Sequence, residues 1–492
     1  MKNHHATLLV LAGGWLSLTA LTIGGSILLP PERSASDASA ALLYRYAASD
    51  VSVSARQEKD IGRAIIADLD TMQLSLYEEG VLVKSFPILS KGRPGTAWET
   101  PTGNYVIQAR ELKHFSSIGG TWMPYSMQFY GNYFIHGWPT YADGSEVPIG
   151  YSGGCIRLGT DDAQEVYEFV PKGARVSVVG SGSASVATTT AEYFLHGDGS
   201  IPDVSARAFV VEDAHSGHVL WEVASEEAVR TRGLSKMATA LTALEVVNQY
   251  KLVRMSELLL GKSILRKYSI GAIDEMPAGV LIYPLLFDTN DTAASVFASE
   301  HGSKQFVKYM NEKTRAIGMH NTVFAGPRST DTSTTTARDL ATLLTYVKKN
   351  KNFLINVTLT KEKTLFDSDG DERFTWQNRN PWIVSNDAAF RGGIIDMDDR
   401  GAGSAMLLFD IAVSEFSSRT IAFVVIDSAH LEEDVMKLRR FVSENFIYGV
   451  GEKGTMFIKE AGEPIPGLLE KAKQLLEFEG WLRGTSKSGQ RT

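Results

Sequence analysis

The sequence is poor in cysteine and in positive charge. Cys155 is the only cysteine among 492 residues, so the chain cannot form an intramolecular disulfide, and no N-terminal cysteine is present to carry a lipid anchor. The 49 lysines and arginines are outnumbered by 57 aspartates and glutamates, which argues against a broad basic surface for nucleic acid. The histidines show no His-x-x-x-His spacing, which argues against a zinc peptidase. We therefore expect no metal, no cofactor and no nucleic acid partner.

An uncharged apolar segment lies at the N-terminus. Residues 6–29 would span roughly 36 Å as a helix, enough to cross a bilayer. The Ser- and Ala-rich run 34–40 could supply a cleavage site, so the segment is either an anchor or a signal peptide. We favour the anchor because the stretch is longer than a usual signal core. Lys2 favours a cytoplasmic N-terminus, which places the rest in the cell envelope, or outside the cell if the segment is cleaved.

The lone thiol lies in a setting that favours reactivity over packing. In Ser152–Arg157 (SGGCIR) two glycines precede Cys155, and such a loop leaves backbone amides unobstructed to stabilise an oxyanion. Upstream, Tyr133–His136 (YFIH) predicts a strand that ends in an imidazole able to take the thiol proton. Arg157 adds a positive charge that favours the thiolate and can hold a substrate carboxylate. These residue types together indicate nucleophilic catalysis.

This stretch resembles the catalytic signature of the L,D-transpeptidase (YkuD-type) family, in which His-Gly precedes a Ser/Thr-x-Gly-Cys-x-Arg/Asn segment. The segments 65–77, 100–107 (TPTGNYVI) and 122–127 (WMPYSM) resemble, in order, the opening hairpin, the Thr-Pro-x-Gly strand and the segment lining the substrate groove of that family. Many members have histidine where this chain has Gly153. We interpret this difference as a changed environment around an intact nucleophile and base. The resemblance covers about residues 60–180, where alternating polar and apolar residues also favour a mainly β, sandwich-like domain.

The resemblance also implies a mechanism and residue roles. Cys155, with His136 as its base, would attack the carbonyl between a diamino acid and D-Ala in a peptidoglycan tetrapeptide stem. D-Ala would leave, and the side-chain amine of a second stem would attack the thioester to form a 3,3-type cross-link. The supporting residues are Gly154, Gly137 and Ser152 for the oxyanion and orientation, and Arg157, Tyr125 and Trp122 for substrate binding.

A second domain is predicted after a Ser-, Gly- and Thr-rich linker. Residues 206–221 predict a β-hairpin and residues 234–248 (LSKMATALTALEVVN) a helix, and 205–445 resemble the serine D-Ala-D-Ala carboxypeptidase (penicillin-binding) family, an α/β fold. The catalytic motifs are degraded: Gly233 replaces the serine of Ser-x-x-Lys although Lys236 remains, and Asp288 replaces the serine of Ser-x-Asn. The Lys-Thr-Gly strand, at 391–397, has no lysine. We therefore predict that this domain is noncatalytic.

The fold class predicted is multidomain: a mainly β L,D-transpeptidase-type sandwich, an α/β penicillin-binding-protein or β-lactamase-like domain, and an N-terminal membrane helix. The expected divisions are 1–31 as membrane anchor or signal, 32–59 as linker, 60–180 as L,D-transpeptidase domain, 181–204 as linker, 205–445 as degenerate carboxypeptidase-like domain, and 446–492 as C-terminal helix and disordered tail.

The function expected is that of a peptidoglycan L,D-transpeptidase. Two alternatives stay open: an L,D-carboxypeptidase that uses water as acceptor, and a noncatalytic cell-wall-binding scaffold. The expected partners are peptidoglycan stem peptides, the membrane, and a cell-wall protein that would bind the second domain.

Overall fold

The computed structural model describes residues 62–180, 191–195, 202–254, 275–366, 372–414 and 417–450. The predicted anchor at 1–31, the linker at 32–59 and the tail beyond 450 lie outside these ranges. Among the residues in these ranges, no helix has both the length and the apolar character needed to cross a membrane.

The first region consists mainly of strands, as the alternating sequence predicts. In chain order its elements are β1 (Arg63–Asp68), β2 (Gln73–Glu78), β3 (Val81–Pro87), β4 (Gly103–Val106), β5 (Ala109–Ser116), β6 (Thr121–Tyr130), β7 (Tyr133–His136), β8 (Ile156–Arg157), α1 (Thr160–Phe169) and β9 (Arg175–Val179). One sheet has the order β3-β2-β1-β9-β4 and the other β5-β6-β7-β8. Inward-facing side chains of both sheets, such as Ile65 and Phe129, join one core. Two sheets that share a core form the sheet-rich region expected.

Two short strands bring the reactive residues together. β7 and β8 pair in parallel, with Ile135 opposite Ile156 and His136 opposite Arg157. Because Cys155 immediately precedes β8, the long loop between these strands returns the thiol to the edge from which His136 projects. Ile135 and Ile156 are fully buried, so apolar packing fixes this register.

The second region is an α/β arrangement. Its elements are β10 (Ala191–Leu195), β11 (Ala208–Asp213), β12 (Val219–Val223), β13 (Val229–Arg230), α2 (Ser235–Val246), β14 (Leu252–Arg254), β15 (Glu275–Pro277), α3 (Ile282–Phe287), α4 (Asp291–His301), α5 (Ser303–Ala316), β16 (Thr334–Thr335), α6 (Ala337–Asn350), α7 (Asn352–Thr358), β17 (Glu362–Phe366), β18 (Glu372–Gln377), α8 (Pro381–Val384), β19 (Phe390–Met397), β20 (Gly403–Ser414), β21 (Ser417–Ser428), α9 (Leu431–Asn445) and β22 (Phe446–Val450). The main sheet has the order β12-β11-β21-β20-β19. The predicted hairpin, β11 with β12, and the predicted helix, α2, are both present. Every residue of α2 is buried, which makes it the central helix of this region.

Two predicted boundaries need correction. The linker predicted at 181–204 contains β10, and the tail predicted from 446 begins with β22; these two strands pair antiparallel. Tyr193 of β10 packs against Tyr448 of β22, with ring centroids 4.9 Å apart, and its hydroxyl hydrogen-bonds Asp213. A five-residue strand whose partner lies far along the chain has too little local pattern to be predicted beside a Ser- and Thr-rich run.

The two regions share a packed interface. The apolar core that contains β1 and β6 also contains residues of α2, α5 and α6. Buried polar contacts cross between them: the Thr102 hydroxyl donates to Asn350 Oδ1 at 2.9 Å, and Lys313 Nζ donates to the Tyr105 hydroxyl at 2.9 Å. Since apolar and charged groups are buried together at this boundary, the two regions are mutually dependent parts of one structure.

Candidate active site

The loop that carries Cys155 is closed by its own polar groups. Ser152 donates its hydroxyl proton to the Cys155 carbonyl at 2.6 Å, and accepts the Gly154 N–H at 3.0 Å. Gly154 has φ +107°, and a Cβ there would overlap the ring of Tyr133. Only glycine satisfies both the backbone conformation and the close approach of this ring. Ser152 therefore orients the loop, and Gly154 gives it room.

The expected role of the Gly154 amide needs correction. Because the Gly154 N–H is already bound to Ser152 Oγ, it is not a free donor for an oxyanion in this conformation. The Cys155 N–H makes no hydrogen bond within the part of the chain that the structure describes. Of the two amides predicted, Cys155 is the one available to a reacting carbonyl oxygen.

His136 is held in one tautomer. Its ring is buried, and Nδ1 lies 2.6 Å from the Gly137 carbonyl oxygen. A carbonyl oxygen can only accept, so Nδ1 carries the proton and Nε2 keeps its lone pair. Burial lowers the pKa of His136 to about 4, against the hydrogen bond to Gly137, and Arg157 and His114 lower it further. The imidazole is therefore neutral at physiological pH and has one free basic nitrogen.

The thiol is partly exposed and also uncharged at rest. Its Sγ lies 3.7 Å from the Asn132 carbonyl oxygen. Burial raises the pKa of the Cys155 thiol above its ordinary value, although a hydrogen bond with the Phe134 backbone and the charge of Arg157 lower it. A thiol with a raised pKa is mostly protonated near neutrality, so its reaction requires a base. The free site therefore holds a protonated thiol and a neutral imidazole.

Arg157 supplies the positive charge predicted. Its guanidinium lies 5.7 Å from the centre of the Trp138 ring, a cation–π distance, and burial lowers its pKa. Its Nε is buried without a hydrogen-bond partner among the described residues. A buried donor with no protein partner is costly unless a ligand or solvent satisfies it, so this arginine is suited to an anionic ligand group.

A cavity of about 270 Å³ joins these groups. His136, Cys155 and Arg157 all line it, together with Gly153. Within the described ranges, no group of three His, Cys, Asp or Glu side chains could hold a metal. The cavity thus combines a nucleophile, a base and a cation at one site.

Two predicted substrate-binding residues do not line this cavity. Thr121 and Met123 line it, whereas Trp122, between them on β6, packs at 4.9 Å against Phe115. Side chains alternate between the two faces of a strand, so Trp122 lies on the face opposite to Thr121 and Met123. Tyr125 adopts φ +52° and donates its hydroxyl proton to Gln164 Oε1 of α1 at 2.9 Å. The substrate-binding role of Trp122 and Tyr125 stays a prediction, and Trp122 adjoins the cavity through Phe115, which lines it.

Several cavity residues escaped the sequence analysis. His114 of β5 stacks on Phe134 at 4.6 Å, and Trp98 comes from the loop before β4. Leu244, Glu245, Val247 and Asn248, at the end of α2, belong to the second region. Trp98 belongs to no motif that the sequence analysis singled out, and the α2 residues reach the cavity only through docking of the two regions.

The site expected of a serine carboxypeptidase is filled. Gly233 stands where the family has serine, and a Cβ there would lie 2.6 Å from Asp396 Cγ. The Asp396 carboxylate accepts the Gly233 N–H at 2.8 Å. Lys236 is fully buried and paired with Asp291 at 2.5 Å. Asp396 occupies the space that a serine side chain would need, and Asp291 binds the lysine that would act on its hydroxyl.

Two protein-family models match this chain. The L,D-transpeptidase catalytic domain matches residues 62–178, and the D-alanyl-D-alanine carboxypeptidase family matches residues 197–394. A Bacillus licheniformis protein named as the L,D-transpeptidase YkuD is 36% identical over 123 residues, which are 25% of this chain and 69% of that protein. The chain belongs to the L,D-transpeptidase (YkuD) family, and a carboxypeptidase-type domain follows its YkuD domain.

The second domain also has relatives. The D-alanyl-D-alanine endopeptidase of Pseudomonas aeruginosa is 27% identical over 168 residues, 33% of this chain and 54% of that protein. The chain thus spans only about half the length of this relative. A solved D-alanyl-D-alanine carboxypeptidase from Mycobacterium tuberculosis aligns at 18% identity, covering 52% of this chain and 99% of that chain with a TM-score of 0.41.

Proposed function

We propose that this chain is a peptidoglycan L,D-transpeptidase that forms 3,3-type cross-links through a thioester on Cys155. One observation carries the proposal: a partly exposed thiol shares a cavity with an imidazole whose Nδ1 is bound to the Gly137 carbonyl, which leaves Nε2 as a base. The family match over residues 62–178 supports the same class of reaction.

In the first step His136 Nε2 takes the proton of the Cys155 thiol as sulfur bonds to the carbonyl carbon between the diamino acid and D-Ala. The Cys155 N–H stabilises the oxyanion that forms. The C–N bond then breaks, and the departing D-Ala amine takes the proton from the imidazolium. The pKa of about 4 makes the imidazolium a ready proton donor to the amine, and it equally makes the neutral imidazole a weaker base toward the thiol.

In the second step the side-chain amine of a neighbouring stem attacks the thioester. A new amide C–N bond forms, the C–S bond breaks, and the amine proton returns through His136 to the thiolate. Arg157 would hold a carboxylate of the donor stem through both steps, since its Nε has no protein partner. Water in place of the amine would give an L,D-carboxypeptidase with the same residues.

The division of the chain also belongs to this proposal. Residues 60–180 would be the catalytic domain and the second domain a noncatalytic part, because Gly233 and Asp396 leave no serine site. The apolar segment within 1–31 would hold the protein to the membrane, with both domains in the cell envelope where peptidoglycan lies.

The experiment is mass spectrometry of muropeptides incubated with the purified full chain. We expect new cross-links with loss of D-Ala from the wild type, and at least a thousandfold loss of turnover in Cys155→Ala, since no other cysteine is present. Ser235→Ala, which removes the hydroxyl two residues after Gly233 in the second domain, is the matched control and should keep full activity. Trimmed tripeptides without cross-links would identify the carboxypeptidase. Turnover by Cys155→Ala, or none by the wild type, would overturn the mechanism.

A further inference from the structure

One side of the thiol cavity belongs to the second domain. Leu244 and Glu245 of α2, with Val247 and Asn248 just after it, line the cavity that also contains Cys155 and His136. The helix that carries Lys236 at its start therefore ends at the reacting cavity of the first domain. These four residues are called the α2 wall below.

Asn132 connects the end of α2, which carries the α2 wall, with the thiol. Asn132 lies in the turn between β6 and β7, and its Nδ2 donates to the Val246 carbonyl at 3.0 Å. The backbone carbonyl oxygen of the same Asn132 lies 3.7 Å from Cys155 Sγ, within hydrogen-bonding distance for sulfur. At the adjacent Gly131, a Cβ would lie 2.8 Å from Val246 Cγ1. The turn and the end of α2 thus fit against each other without space for a methyl group.

Buried charges hold the α2 wall in place. The Glu245 carboxylate lies 2.9 Å from Lys313 Nζ and 3.7 Å from Lys351 Nζ, and all three side chains are almost wholly buried. Lys351 also donates to the Glu99 carbonyl of the first domain. Lys351 Nζ lies 5.7 Å from the centre of the Tyr133 ring, the ring that excludes a Cβ at Gly154. The wall therefore occupies a fixed position relative to the thiol loop.

Asn248 presents one defined polar group on this wall. Its Oδ1 accepts the Tyr250 N–H at 3.0 Å, and because a backbone N–H requires an acceptor, this bond fixes which end of the amide is oxygen. Because Oδ1 accepts in this bond, Nδ2 is the donor end of the amide of a residue that lines the cavity. Stem peptides are rich in carbonyl and carboxylate oxygens, which accept from such a donor.

We propose that the second domain forms the specificity wall of the transpeptidase cavity, and that Asn248 is a specificity-determining residue whose Nδ2 donates to a carbonyl or carboxylate oxygen of the bound stem peptide. This inference rests on the proposed function for the identity of the ligand. It assigns a binding role to a domain whose own serine site is filled.

The test is calorimetric titration of a tetrapeptide stem ending in D-Ala into the full chain carrying Cys155→Ser, so that binding is measured without turnover. Asn248→Ala should weaken binding about fivefold, the effect of one lost hydrogen bond. Asn248→Asp keeps the acceptor for Tyr250 but replaces the donor with a carboxylate, so it should weaken binding more than alanine does. Asn445→Ala, at the end of α9 and absent from the cavity lining, is the matched control: it also loses one side-chain hydrogen bond, and it should leave the affinity unchanged.

The outcomes separate this inference from the proposed function. Tighter binding by Asn248→Asp, or unchanged binding by both variants in folded protein, would overturn the donor role. Binding that depends on Asn248 in a chain whose wild type shows no turnover would keep the wall and overturn the transpeptidase. A chain that binds no stem peptide at all would overturn both.

Discussion

The two domains treat their reactive positions in opposite ways. In the first, Gly154 makes room for a ring and leaves a partly exposed thiol facing a cavity of about 270 Å³. In the second, Gly233 makes room for Asp396, which fills the place of the missing hydroxyl. Both positions are glycine in a tightly packed loop or turn, but one preserves a site and the other closes it.

The difference is that a polar residue can persist at its motif position and still be enclosed by other side chains. Lys236 persists at its motif position, yet it is fully buried and bound to Asp291 and to the Pro327 carbonyl. His136 and Arg157 line an open cavity. His136 Nε2 is free to accept a proton, and Arg157 Nε has no hydrogen-bond partner among the described residues. What distinguishes an intact site is empty space bordered by groups that still lack partners.

The strongest challenge to this comparison removes the carboxylate that neutralises two buried lysines of the second domain, both of which also contact the first domain. Glu245→Leu should lower the free energy of unfolding of the full chain by about 3–5 kcal/mol, because Lys313 and Lys351 would be buried without a carboxylate. Chemical denaturation followed by circular dichroism would measure it. The double variant Glu245→Leu/Lys313→Met, which also removes one stranded charge, should recover part of the loss. A loss below about 1 kcal/mol would mean that these charges are solvated and do not fix the α2 wall.

The two sites should also titrate in different pH ranges. His136 binds a proton below about 4 when folded but near its ordinary pKa of 6.5 when unfolded. The unfolded chain therefore binds more protons between these values, and the free energy of unfolding falls as pH drops from 6.5 to 4, by up to about 3 kcal/mol. Although burial raises the pKa of Asp291, its hydrogen bonds with Lys236 and Ser329 lower it below 3.8, so its stabilising contribution is lost only below that range.

Urea denaturation at a series of pH values, comparing wild type with His136→Gln, would measure the first effect. The variant should have a shallower slope between pH 4 and 6.5. Asp291→Asn leaves the buried Lys236 without its carboxylate, so it should be less stable than wild type above about pH 4 and approach wild type only below that pH. Parallel slopes for wild type and His136→Gln would contradict a buried, neutral imidazole.

Restoring the missing serine gives the smallest expected effect. Gly233→Ser should lower stability by about 2 kcal/mol because its Cβ meets Asp396, and it should not confer acylation by a penicillin. Gly233→Ser/Asp396→Gly, which empties that space, should regain stability by thermal unfolding. Acylation of the single variant, seen as an added mass on the intact protein, would show that the second site is merely missing its nucleophile and is not closed.

The sequence was sufficient where chemistry and local pattern coincide. Cys155, His136 and Arg157 stand in short motifs around β7 and β8, and the structure brings them to one cavity. The loss of the motif serine was also visible in the sequence, because Gly233 has no side-chain hydroxyl to act as a nucleophile. The absence of Trp122 from the cavity lining could not be predicted, because a motif does not state which face of a strand a side chain occupies.

The rest depended on contacts between distant segments. The pairing of β10 with β22 and the docking of Asn132 against Val246 join residues with no common local signal. The Glu245, Lys313 and Lys351 cluster is similar, because three charged residues on separate elements predict solvent exposure until the fold shows them buried.

The α2 wall has a consequence for inhibition. A compound that reacts with Cys155 and extends across the cavity would contact side chains of both domains. Under the proposed function, resistance would then arise from substitutions near Asn248, in the second domain, while Cys155 and His136 stay unchanged. Screening for such variants would need to sequence the whole gene and not the segment for residues 60–180 alone.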